Sequence, residues 1–264
     1  MDTEDDELFH PYLELTALEA FGDPAVAQLA DAAVMGDLQA LAALLRQGVN
    51  VQARTEDGMG LFRWTYDCWH GGFYWSDDSR ARSFDGMVAL LQAGADHDLN
   101  DDPEDPQNYC YDYDVMLEAI AHSDDTRLLK ALLDAGVNPN LRNPGGQTAL
   151  FDAITYGKEA AFQLLLAAGA DPNAKDDLYN PDKTPLLLHA ANHDTGSNGT
   201  GRYTLTLLEA GADPYASNAA GRTFQPDFKR RDATTASDAF IQNKRKIAAW
   251  LRAHGVPLAW EDGG

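Results

Sequence analysis

A leucine-rich run that closes on glycine occurs six times in these 264 residues, and that recurrence constrains the fold more than any other feature. It reads Leu41-Ala42-Ala43-Leu44-Leu45-Arg46-Gln47-Gly48, then Val88-Ala89-Leu90-Leu91-Gln92-Ala93-Gly94, then Leu129-Lys130-Ala131-Leu132-Leu133-Asp134-Ala135-Gly136. It returns as Leu164-Leu165-Leu166-Ala167-Ala168-Gly169, as Leu207-Leu208-Glu209-Ala210-Gly211, and more loosely as Trp250-Leu251-Arg252-Ala253-His254-Gly255. Leucines at i, i+3 and i+4 make one apolar stripe on a helix. The glycine can take the left-handed conformation that closes a helix C-terminus. Asn138-Pro139, Asp171-Pro172 and Asp213-Pro214 then start an extended turn, since proline cannot continue the helix. One such unit cannot bury its own stripe, so its neighbours must stack against it.

Gly136 and Gly169 are 33 residues apart, and between them lies Gly145-Gly146-Gln147-Thr148-Ala149-Leu150-Phe151-Asp152-Ala153. A later unit opens on Lys183-Thr184-Pro185-Leu186 and continues Leu187-Leu188-His189-Ala190-Ala191. This pattern resembles the ankyrin repeat, with its 33-residue period and Thr-Pro-Leu-His helix start. The family's histidine is displaced here by two positions, so His189 stands where a small alanine is usual. The units that open at Asp57-Gly58-Met59-Gly60-Leu61-Phe62 and at Val115-Met116-Leu117-Glu118-Ala119-Ile120-Ala121 lack the Thr-Pro. The resemblance implies an all-α solenoid of stacked helix-turn-helix units with long loop insertions and atypical caps. Its expected limits are an acidic segment at 1–24, one repeat domain at 25–258 and a tail at 259–264. The repeats fall near 25–54, 55–99, 108–141, 142–174, 175–216 and 217–258. The other glycine spacings exceed 33 by 9 to 13 residues, which places insertions near Phe73–Phe84, His97–Asp112, Asp194–Gly201 and Pro226–Ser237.

The formal charge of −22 argues against nucleic acid or an anionic membrane as a direct ligand, because phosphates are repelled. The acidity is lopsided. Residues 1–120 carry 25 acids against 5 bases, and residues 121–264 carry 17 against 15. Met1–Glu7 is acidic with no apolar run behind it, which suits neither a secretory signal nor a transit peptide. No stretch approaches the roughly 20 apolar residues of a membrane helix. A cytoplasmic protein is expected, with Cys68 and Cys110 as reduced thiols.

No constellation of residues points to catalysis, so no catalytic residue, metal or cofactor is expected. His189 and His193 stand at i, i+4, as two zinc ligands on one helix would, but no third ligand is placed by the sequence. A packing or hydrogen-bonding role suits His189 better. Asp96-His97-Asp98-Leu99-Asn100-Asp101-Asp102 begins like a calcium loop but has Asp101 at the position that needs glycine and Gln107 where the closing glutamate belongs. Gly196-Ser197-Asn198-Gly199-Thr200-Gly201 follows no strand and reads as a flexible insert. Lys229-Arg230-Arg231 and Lys244-Arg245-Lys246 form a basic end, read as a solvated cap.

Two stretches are candidates for partner binding. Phe62, Trp64, Tyr66, Trp69, His70, Phe73, Tyr74 and Trp75 crowd into fourteen positions, more than one helical stripe can hold. They form either a local mini-core or an interface, since Trp and Tyr anchor both. Asp96–Glu118 holds nine acids, no Lys or Arg, and Tyr109, Tyr111 and Tyr113. Carboxylates there would steer a basic partner while tyrosines supply rigid contact area. The expected binding set is Trp64, Trp69, Tyr74, Trp75, Asp98, Asp101, Asp102, Glu104, Asp105, Tyr109, Tyr111 and Tyr113. The function this implies is non-catalytic engagement of a basic protein surface. One version is inhibitory, since small acidic ankyrin proteins resemble immunity proteins that neutralise a toxin such as a nuclease. The alternatives are a scaffold or host-directed effector and, from another class, a metal protein or enzyme.

Overall fold

The computed structural model describes residues 15–71, 77–97, 115–117, 119–120, 125–143, 146–176, 182–196, 199–230 and 236–260. Contacts divide the chain into two compact units, residues 1–100 with 125–137 and residues 101–124 with 138–264. Each is built from helical hairpins, as the repeated leucine stripe predicts.

In the first unit the helices are α1 (Ala17–Phe21), α2 (Pro24–Met35), α3 (Leu38–Arg46), α4 (Leu61–Gly71), α5 (Asp77–Gln92) and α6 (Arg127–Asp134). Helix α2 packs on α1, α3, α4 and α5, and α5 carries the contact on to α6. Local chemistry starts these helices where they start. Thr16 and Glu19 form a reciprocal capping box on α1. Asp23 caps α2 ahead of Pro24, and Asp37 accepts from Gln39 N and Ala40 N at the head of α3.

The second unit contains α7 (Ala149–Thr155), α8 (Glu159–Ala167), α9 (Leu186–Asp194), α10 (Arg202–Glu209), α11 (Gln225–Arg230) and α12 (Asp238–Ala253), with residues 115–117 and 119–120 also helical. Hairpin α7/α8 meets the next hairpin through α7 and α9. Hairpin α9/α10 meets the last one through α9 and α11 and through α10 and α12. The hairpins therefore stack in chain order within this unit. Between α8 and α9, β1 (Lys175–Asp176) pairs antiparallel with β2 (Thr184–Pro185).

All six repeat glycines have positive φ, from 69° at Gly255 to 97° at Gly136. After each one, the next residue turns its N–H back five positions onto a helical leucine carbonyl, from Val49 to Leu44 through Val256 to Leu251, at 2.9–3.2 Å. This is the bond that closes a helix through a left-handed glycine. It also tucks Ala95, Val137, Ala170, Ala212 and Val256 into the core behind the leucines.

Two expectations change. The extra length near Phe73–Phe84 is not only loop, since residues 77–84 belong to the 16-residue α5. That helix crosses α2 at close range. A Cβ on Gly86 would strike the Ala33 carbonyl, and Ser83 Oγ donates to the Val34 carbonyl. The insertion near Pro226–Ser237 is likewise partly helical, with α11 running to Arg230. Beyond residue 258 the chain is still fastened. Ala259 N donates to Gln225 Oε1 at 2.8 Å and the Trp260 ring lies against Phe228 at 6.1 Å.

Candidate partner-binding surface

Each unit has turns between its helices that are held by short backbone bridges and carry polar side chains. In the first unit Arg54 bridges to Gly60, and Glu56 and Asp57 sit exposed at the tip. In the second, Arg142 bridges to Thr148, the β1/β2 pair follows, and Asn218 N donates to Arg222 O at 3.1 Å. Asn and Asp build these turns locally. Asn50, Asn138, Asp171 and Asp213 each accept, through Oδ1, the N–H two residues on, at 2.8–3.0 Å.

Side chains then join one turn to the next. Asn140 Nδ2 donates to Gly169 O at 3.3 Å while its Oδ1 accepts from Asp171 N at 2.7 Å. Asn173 makes the same pair with Gly211 O and Asp213 N, at 3.2 and 2.7 Å. In the first unit Gln52 donates to Gly94 O, and Arg54 pairs with Asp96 at 2.6 Å. In the sequence these links are marked by position alone. The visible signal was the Asn that ends Asn138-Pro139-Asn140 and Asp171-Pro172-Asn173, at the same offset from each glycine.

The aromatic stretch resolves into core and rim. Phe62, Trp64 and Tyr66 are buried on α4; Trp64 is 1% exposed and meets the Phe21 ring edge-on at 5.4 Å. Trp64 is thereby corrected from binding residue to core, because its indole is closed to any partner. Trp69 is half-buried against Tyr66, and exposed His70 stacks on the same ring at 5.7 Å. Tyr74, Trp75, Asp98, Asp101, Asp102, Glu104, Asp105, Tyr109, Tyr111 and Tyr113 lie outside the described residues and side chains, as do Cys110 and Arg231. Cys68 is a buried thiol, pushed up to about 12 by burial and by the nearby carboxylates of Asp67 and Asp31.

Helices α7, α9 and α11 of the second unit carry a polar band. His189 Nε2 lies 3.1 Å from Thr155 Oγ1 and its ring packs on Phe151 at 5.1 Å. Burial and the neighbouring His193 hold it below the usual histidine range. The His193 ring instead meets Tyr203 at 5.4 Å, so each histidine has its own packing partner. Burial also lifts Asp152 to about 7, with Oδ2 unpartnered. Farther along, Arg222 bonds Asn192 at 3.0 Å and Asp227 at 2.7 Å, and Arg230 joins the same Asp227 oxygen. Lys244 of the basic end donates to Phe228 O at 2.5 Å, so it is tied down and not simply solvated. Among the described residues no group of three or more His, Cys, Asp or Glu is arranged to hold a metal, and no helix is long and apolar enough to cross a membrane.

Comparison with known proteins agrees with this architecture. A family model described as ankyrin repeats in three copies matches residues 80–176 and 115–218, which together span more than half of the chain. Human mitochondrial disaggregase is 32% identical over 120 residues, covering 45% of this chain. The E3 ubiquitin-protein ligase KEG of Arabidopsis thaliana is 34% identical over 88 residues, covering 33%. The chain spans only 16% and 5% of the lengths of those two relatives. The crystal structure of an ankyrin repeat domain from Acinetobacter baumannii superposes with a TM-score of 0.53 at 25% identity. That match covers 87% of this chain and 98% of the other.

Proposed function

Because this chain belongs to the ankyrin-repeat family, whose stacks serve as protein–protein interaction modules, we propose that it binds a protein with a basic surface and does no chemistry of its own. The charge asymmetry carries this reading: 25 acids against 5 bases in residues 1–120, in a chain that is otherwise close to balanced. A field of that sign speeds encounter with a cationic partner and repels anionic ones. The exposed Glu56 and Asp57 contribute to it, as do the sequence-assigned Asp98, Asp101, Asp102, Glu104 and Asp105. Trp69 and the sequence-assigned Tyr74, Trp75, Tyr109, Tyr111 and Tyr113 supply contact area.

Occlusion of a positively charged active-site cleft, as in a toxin nuclease, is the inhibitory form of this reading. Linking two proteins as a scaffold is its rival. The experiment is capture of partners from the organism that encodes the chain, repeated across a salt series and with Asp101, Asp102, Glu104 and Asp105 reversed to lysine. Capture should weaken with salt and with the reversal. Capture indifferent to both would sink the acidic-surface reading. Rescue of growth when the chain is co-expressed with a captured toxic partner separates inhibition from scaffolding.

A further inference from the structure

The first hairpin has a face that no described helix covers. Asp31, Ala32 and Met35 of α2 face Ala40, Ala43 and Leu44 of α3 across a groove of about 470 Å³. On each helix the lining recurs at i, i+3 or i+4, the spacing that lets a third helix set its ridge between two others. These are not the residues that meet α5, where Ala33, Val34 and Gly36 make the close approach. The terminal hairpin of a stacked array keeps one flank without a neighbour, and that flank is ordinarily polar; here Met35, Leu44 and three alanines share it with Gln28, Asp31, Asp37 and Gln47.

Two observations bear on what it can receive. Of the six large hydrophobic residues that are exposed among those described, four lie between positions 15 and 38: Leu15, Leu18, Met35 and Leu38. Met35, in the groove, is 47% exposed. The second is charge. Asp31 stands in the groove wall with no hydrogen bond or ion pair to a described residue, and Asp37 sits at its end. Burial holds Asp31 above the usual carboxylate range, a penalty that an incoming ammonium or guanidinium would relieve.

We propose that the α2/α3 groove receives a basic amphipathic helix of the partner protein, its apolar stripe on Met35, Ala40 and Leu44 and a Lys or Arg on Asp31. This rests on the acidic-surface reading above and gives it a location. An acidic helix is repelled, and an uncharged one leaves Asp31 desolvated and unpaired, which is costly. Recognition of an amphipathic helix by a groove requires both the stripe and the flanking charge.

The test is calorimetric titration of the full chain, at physiological salt, with an amidated peptide of Leu and Lys at helical spacing. The controls are the same composition in scrambled order and the same pattern with Glu for Lys. One-to-one binding of the patterned Lys peptide is expected, with a loss of about tenfold for Asp31→Asn and for Met35→Glu. Both positions are accessible, and unchanged circular dichroism confirms that each variant folds. Equal binding of the scrambled peptide, or indifference to both variants, overturns the proposal. So does self-association of the chain that Met35→Glu abolishes, because the groove would then serve a second copy. Groove variants that bind normally while partner capture remains salt-sensitive would remove this site and leave the broader reading standing. Salt-insensitive capture would remove that reading, whatever the peptide does.

Discussion

Asn173 donates its side-chain amide to the Gly211 carbonyl at 3.2 Å and accepts the Asp213 N–H at 2.7 Å, so one side chain ties two successive turns together. Asn140 repeats the arrangement with Gly169 and Asp171. The glycine carbonyl follows a left-handed residue at the end of a helix, where no helical N–H can reach it. An asparagine one repeat earlier supplies the donor. Asn173→Ala should cost about 1–2 kcal/mol in urea unfolding, the worth of two hydrogen bonds in a partly solvated setting. Its effect in amide exchange should centre on residues 211–215. An aspartate substitute should not restore it, because it keeps the acceptor and loses the donor.

The Asp194 carboxylate is buried and accepts from both Thr204 N and Thr204 Oγ1 at 2.8 Å, which links the end of α9 to the start of α10 across the insertion near 194–201. Thr204→Val removes the hydroxyl donor and leaves the carboxylate less satisfied. It should lower stability by about 1–3 kcal/mol, whereas Thr204→Ser should be nearly neutral. Thermal unfolding of the two variants side by side distinguishes loss of the bond from loss of packing.

Asp152 gives the pH dependence a sign. Burial raises it from 3.8 to about 7, so between those values the folded chain holds a proton that the unfolded chain releases. Stability from this group is therefore fully present below its unfolded value and is lost as pH rises through about 7. Asp152→Asn should flatten that part of the profile and raise stability at pH 8 by about 1–2 kcal/mol. A profile that falls just as steeply in the variant would show that Asp152 is not the group responsible.

Trp64 and Trp69 share a helix and should behave oppositely. Trp64→Ala empties a buried core position and should cost about 3–5 kcal/mol in denaturant unfolding. Trp69→Ala should cost less than about 1 kcal/mol, because the side chain is only half-buried. If partner contact extends over this helix, Trp69→Ala lowers affinity at unchanged fold.

Gly86 permits α5 to cross α2 directly over the Ala33 carbonyl. Gly86→Ala should destabilise by about 2–3 kcal/mol, although alanine favours helix, because the backbones must separate. The Ser83 hydrogen bond to the Val34 carbonyl would be strained in the same variant.

The sequence by itself determined the hairpins, the glycine closures and the order in which units follow. Those features repeat at fixed intervals, and each depends on residues close along the chain: leucines one helical turn apart, a glycine that alone tolerates positive φ, a proline that halts the helix. Net charge and its lopsided distribution were equally legible, being sums over residues. Tertiary structure decided what depends on residues far apart. It placed Trp64 in the core and Trp69 at its rim, although both belong to one aromatic run, because which face of α4 is covered depends on Phe21, more than forty residues away. It converted part of an expected insertion into α5, since Gly86 and Ser83 are held by Ala33 and Val34 across the α2 crossing. It separated His189 from His193 by giving each a different neighbouring helix. The α2/α3 groove emerged the same way. Its lining residues look like ordinary stripe positions in sequence, and only the packing shows that no described helix covers them.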